Sequence, residues 1–341
     1  MRWPIAGVIS LSLLLHAGPV WAASRTDHDA CVNGSGDAAI AGCAVIIGDR
    51  NESARSRAAA HFNRGHEWRS KGDLDRAIAD FSEAIVLDPR YSSAYHRRAM
   101  AFRAKGDLDR ALADHTTAIR IEPTPAAFTS RGDTWREKGD IDRAIIDYSE
   151  AIRLDATSVA AFHRRGLAWR EKDDLDRALS DHTAAIRLDP KHAEAYKYRG
   201  VANFQKGEFL NAASDLLHAV EIADDAYMML WRYLARGRIR QDGATELSVG
   251  AARLASKDWP FALVELYLGR RSPDQIRAAL VKPNEICDAA FYVGQWYVLR
   301  ANKAEATSAL QAAAEICPKN LVEYDVAVAE LRRLGIVPST R

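Results

Sequence analysis

Arg69, Arg103, Arg136 and Arg170 stand 33 or 34 residues apart, and this recurring guanidinium is the chemistry the sequence offers most insistently. A planar five-donor fork binds carboxylates and peptide carbonyls through charge-assisted hydrogen bonds, so a row of such forks would orient a partner segment. Residues for other chemistries are present but not assembled. His66-Glu67 opens like a zinc-protease motif, yet Ser70 stands where the second histidine is required. No G-x-S-x-G elbow, phosphate loop or dinucleotide fingerprint occurs. The reading is a non-enzyme with no catalytic residue, no metal site and no cofactor. The formal net charge of +1 in 341 residues argues against a nucleic-acid partner.

The cysteines Cys31, Cys43, Cys287 and Cys317 lack the close C-x-x-C spacing of a metal or redox site. Their meaning depends on the compartment, and residues 1–22 speak to that. Arg2 is followed by an apolar run, Ile5–Leu15, and then by Val20-Trp21-Ala22, a small-x-small cleavage pattern. This is the layout of a secretory signal peptide, and the run is too short to span a bilayer. Cleavage after Ala22 is expected, giving a periplasmic or secreted protein without a membrane anchor. Four cysteines in an oxidising compartment then read as two disulfides.

The elements that must position these side chains are written as one sentence repeated four times. GDLDRAIADFSEAIVLDP (72–89) returns as GDLDRALADHTTAIRIEP (106–123), GDIDRAIIDYSEAIRLDA (139–156) and DDLDRALSDHTAAIRLDP (173–190). Upstream of each lies a small residue, Gly65, Ala99, Gly132 or Gly166, with an aromatic three residues on, and Gly200 continues the series. An alanine follows at +12 and a packing residue at +16, where His115 and His182 occupy an aromatic position rather than a ligand site. This pattern resembles the tetratricopeptide repeat (TPR) family over residues 58–226, in five repeats. The resemblance implies an all-α, right-handed α-solenoid of helix hairpins. The small residues let two antiparallel helices approach, and neighbouring hairpins stack because one alone cannot bury its apolar face. Gly72 can end the first helix in the left-handed conformation, and Asp73 can cap the second.

In that family the first helix of each hairpin lines a concave groove. The corresponding residues here are Phe62, His96, Thr129, His163 and Lys197; His66, Met100, Asp133, Leu167 and Val201; and Arg69, Arg103, Arg136, Arg170 and Phe204. The expected groove holds the four arginines, His66, His96, His163 and Lys197. Phe62, Met100, Leu167 and Phe204 are its expected apolar anchors, and Asn63 an expected donor to a peptide carbonyl. Glu137 and Glu171 lie beside two of the arginines. A second row, Arg64, Arg98, Arg131, Arg165 and Arg199, is assigned to packing between helices.

Residues 23–57 contain a partial repeat, with Cys43 at the aromatic position and Cys31 upstream. Residues 227–335 read as a diverged helical region with a final repeat around Gly294, and 336–341 as a tail. Cys287 falls at the start of one helix of that last hairpin and Cys317 at the end of the other. These ends are neighbours, which pairs Cys287 with Cys317 and leaves Cys31 for Cys43. The stretches LWRYLARG, DWPFALVELYLGRRS, FYVGQWYVLRANKAEATSALQAAAE and EYDVAVAELRRLG resemble the NlpI family of bacterial periplasmic adaptor lipoproteins over about residues 226–335. That resemblance implies a homodimeric adaptor for cell-envelope proteins, peptidoglycan enzymes or proteases among them. The family's lipid-attachment cysteine is missing here. The expected function is an exported scaffold that binds protein or peptide segments, with a periplasmic assembly or secretion chaperone as the alternative.

Overall fold

Local signals start and stop each helix. In the computed structural model, residues 22–280 and 282–337 are described; the leader before Ala22 and the tail beyond Val337 lie outside them. Asp73 accepts from the Arg76 amide at 3.0 Å, and Asp107, Asp140 and Asp174 repeat this cap on later helices. Each bond satisfies one of the amides that a helix start leaves orphaned. Gly72 takes φ +81°, the left-handed turn that ends the preceding helix. The same turn at repeat four falls on Asp173, at φ +59°.

Nineteen helices and no strands occur among the described residues, so the all-α expectation is met. The chain divides into two compact units at Pro123. The first holds α1 (Arg25–Asn33), α2 (Gly36–Gly48), α3 (Ala54–Ser70), α4 (Leu74–Leu87), α5 (Ser92–Ala104) and α6 (Leu108–Ile121). They pack as consecutive antiparallel hairpins, and Cys31–Cys43 ties α1 to α2 with Cα atoms 4.6 Å apart.

The second unit continues the pattern through α7 (Pro125–Glu137), α8 (Ile141–Leu154), α9 (Val159–Glu171), α10 (Leu175–Leu188), α11 (Ala193–Lys206) and α12 (Phe209–Ile222). Then come α13 (Ala226–Arg238), α14 (Ala244–Arg253) and two short helices, α15 (Phe261–Tyr267) and α16 (Pro273–Ala278). The last hairpin is α17 (Pro283–Leu299) with α18 (Lys303–Ile316), bridged by Cys287–Cys317 as the register predicts, and α19 (Val322–Arg333) follows. A large core runs from Val201 to Leu331, with Trp231, Phe291 and Tyr292 at its centre.

Within a hairpin the small residue sets the approach distance. A Cβ on Gly132 would lie 2.6 Å from the Tyr148 ring, so only glycine admits that tyrosine. Five arginines brace the hairpins from the side. Arg64, Arg98, Arg131, Arg165 and Arg199 each fork onto an aspartate 16 residues on, at 2.6–3.0 Å. Three of them also reach a hydroxyl 16 residues back, on the preceding hairpin: Ser82, Ser149 and Thr183. The packing role read for this row is what the geometry has.

Candidate protein-binding surface

In the first unit the groove residues expected from sequence lie on α3 and α5, which touch one another. Phe62 is half-buried against Phe81 and Tyr91, with ring centroids 5.8 and 5.0 Å away. Asn63 spends its amide on the Cys31 carbonyl at 3.3 Å, so its role is to hold α1 rather than to meet a partner's backbone. His66 remains partly exposed beside Glu67. Met100 and Arg103 are half-buried on α5. His96 packs its ring on His115 at 5.2 Å. Burial, then the charges of Arg97, Arg103 and Arg69, push the His96 imidazole down to about 4, so it is neutral at physiological pH.

After burial, which is the larger cause, the three guanidiniums of Arg97, Arg103 and Arg69 add to that depression. Arg69 and Arg97 have no carboxylate within ion-pair distance among the described residues, and the Arg69 Nε is buried without an acceptor. Burial and Arg69 together pull the Arg97 guanidinium below its usual range. Repulsion of this kind is relieved by a bound anion. Arg97 was absent from the residues picked out by sequence. It sits one position beyond His96, and Arg164 stands at the corresponding position two repeats later.

The second unit treats its arginines differently. Arg136 pairs with Glu171 at 2.7 Å. Arg170 is 2% exposed, and its guanidinium is taken by Asp325 and by the Asn320 carbonyl, 150 or more residues further along. The expected four-arginine ladder is therefore corrected: α19 and the turn before it occupy the Arg170 fork. Phe204 is likewise no anchor. It is fully buried, with Phe209 and Trp231 ring centroids at 5.0 and 5.3 Å, because α13 covers it. His163 joins His182, His192 and Tyr198 in a ring cluster at 5.1–5.6 Å, and burial with the neighbouring His192 pushes it down to about 3.

Leu167 and Lys197 do share a cavity of about 330 Å³ with Arg136 and Arg170, closed on one side by Leu321 and Glu323. Lys197 lies 3.6 Å from Glu194. Burial pushes Glu323 up to about 7, with Asp288 adding to the rise. Among the described residues no group of histidine, cysteine and acidic side chains is placed to hold a metal ion. No described helix is long and apolar enough to cross a membrane.

Family models described as tetratricopeptide repeat match residues 58–91, 96–159 and 163–227. No curated protein matches the sequence. Similar solved structures include a tetratricopeptide repeat protein from Parabacteroides merdae, at TM-score 0.53 and 14% identity, covering 80% of this chain and 98% of that one. Another is PilF of Pseudomonas aeruginosa, at TM-score 0.51 and 15% identity, covering 61% and 97%. A third is YrrB, described as a TPR protein with an unusual peptide-binding site, at TM-score 0.43 and 24% identity, covering 50% and 89%. At such identities the likeness is one of fold. The period, the small-residue contacts and the matched segments agree, and residues 58–227 of this chain are tetratricopeptide repeats.

Proposed function

We propose that this chain is an exported, non-catalytic scaffold that binds an acidic segment of a partner protein on the α3–α5 face. The observation that carries the reading is the Arg69–Arg97–Arg103 cluster around a neutral His96, in which Arg69 and Arg97 lack an internal counterion. Charge-assisted bonds to a partner's carboxylates would supply it, while Phe62 and Met100 flank the cluster with apolar surface. Affinity capture from a periplasmic fraction tests this. Arg69→Ala/Arg97→Ala should lose the partners that the wild-type chain retains, and added salt should weaken their capture. Recovery of an unchanged set would sink the reading.

Export is supported by the leader pattern and by both disulfides, which persist in oxidising compartments. Ala23 adds to it. Its backbone nitrogen lies 2.8 Å from the buried Asp49 carboxylate, so cleavage after Ala22 would set a new ammonium on that acid. The reading extends to cell-envelope partners and to a homodimer, and its support is the sequence resemblance of residues 226–335 described above.

A further inference from the structure

Glu323 and Asp288 are buried acids of the second unit that no cation answers. Each is 7% exposed, Glu323 in the first turn of α19 and Asp288 on α17. Tyr227 and Trp259 both donate to Oδ2 of Asp288, at 2.6 and 2.8 Å, which leaves Oδ1 without a donor among the described residues. Beyond its own backbone amide, the Glu323 carboxylate has no hydrogen-bond donor among them. A charge buried in this way is costly unless something pairs with it, and burial raises both acids above their usual range. Asp288 adds to the rise of Glu323, which puts the two carboxyls near one another.

Both acids keep some exposed surface, and both line the cavity of about 330 Å³ that Leu167 and Lys197 share. The three cations on its wall are turned to other partners. Arg136 pairs with Glu171 at 2.7 Å, Arg170 pairs with Asp325, and Lys197 lies 3.6 Å from Glu194. Arg170 and Lys197 pull on Glu323 without coming within ion-pair distance of it. With those pairs made, the wall is left with two carboxylates and no counterion. Leu167, Leu321 and Tyr198 add apolar surface. Side chains from α7, α9, α11, α13, α17 and α19 line the space, whose volume suits a small ligand.

We infer that this cavity binds a small primary amine, its ammonium between Glu323 and Oδ1 of Asp288 and its apolar stem against Leu167, Leu321 and Tyr198. An ammonium carries three N–H donors on one positive charge, so it can bond both acids at once. The site lies apart from the α3–α5 face and does not depend on what that face binds.

The test is calorimetric titration of the full chain with phenethylamine at pH 8, above the value of about 7 to which Glu323 is raised. Saturable binding is expected. The trimethylammonium analogue keeps the charge but has no N–H donor, and should bind at least about tenfold more weakly; phenylpropionate should not bind. Glu323→Gln keeps the shape and removes the charge, and with its fold checked by circular dichroism should weaken phenethylamine by about tenfold. Lys197→Met removes a repelling charge and should tighten the amine, whereas a site for anions would be weakened by it. A capped tripeptide with a central lysine should bind about tenfold more weakly than the free amine, since the cavity takes a small molecule. Absence of saturable binding, equal affinity for the two ammonium compounds, indifference to Glu323→Gln, weaker binding in Lys197→Met, or a tripeptide as tight as the amine overturns the inference.

Discussion

Arg165 sends Nε and Nη2 to the Asp181 carboxylate at 2.8 Å and Nη1 to Ser149 at 3.1 Å. One side chain thus spans a hairpin and the helix before it. Asp181 is nearly buried while Arg165 is about one-fifth exposed, so the pair is only partly screened. Asp181→Ala should lower the stability of the second unit by roughly 2 kcal/mol, because a half-buried guanidinium is left without its counterion. Arg165→Ala/Asp181→Ala should cost less than the two single changes together, and chemical denaturation of the three variants would show it. This row of arginines was read from sequence as packing, and the structure adds the aspartate that each one meets at a single fixed offset. The row ending at Arg170 recurs as regularly, yet its members differ in role. Periodicity reports that a side chain faces a given way, not what it meets there.

At the scale of elements, the turns are the most local part of this chain. Repeats one, two, three and five end helix A on glycine at positive φ; repeat four uses Asp173. A left-handed residue other than glycine costs about 1 kcal/mol, which suggests that Asp173→Gly would stabilise. The side chain argues otherwise. Asp173 accepts from the Gln205 amide at 3.1 Å, and Gln205 is buried. Orphaning a buried donor costs about 1–3 kcal/mol, and glycine adds freedom to the unfolded chain. Asp173→Gly should therefore lower stability by about 1 kcal/mol in thermal unfolding, on balance of these terms, while Asp173→Asn, which keeps an acceptor, stays near neutral. A gain in stability for the glycine variant would refute this account. The helix boundaries and both disulfide pairings were readable in advance for the same reason: caps, turns and hairpin ends are set by residues close in sequence.

At the scale of the second unit, α19 folds onto α11 and α18 and buries Glu323. Burial, with Asp288 nearby, raises this acid to about 7 from 4.5, against the opposing pull of Arg170 and Lys197. The folded chain then binds a proton that the unfolded chain has released. Stability from this group is complete below about pH 4.5 and is lost as pH rises through 7. Glu323→Gln imitates the protonated form. It should match the wild type near pH 4 and exceed it at pH 8 by on the order of 2 kcal/mol. Equal melting temperatures at pH 8 would show that the acid is not held in this way.

The 34-residue period, the capping aspartates and the small residues specified helix hairpins stacked in order, because each acts on neighbours within about one repeat and one side chain suffices to set the spacing. Which arginines stay open to a partner could not be read that way. Arg170 is claimed by Asp325 across 155 positions, and Phe204 is covered by α13. Such outcomes arise from distant segments competing for the same face. That competition is settled by packing and charge in three dimensions, where the repeat carries no information about which neighbour arrives.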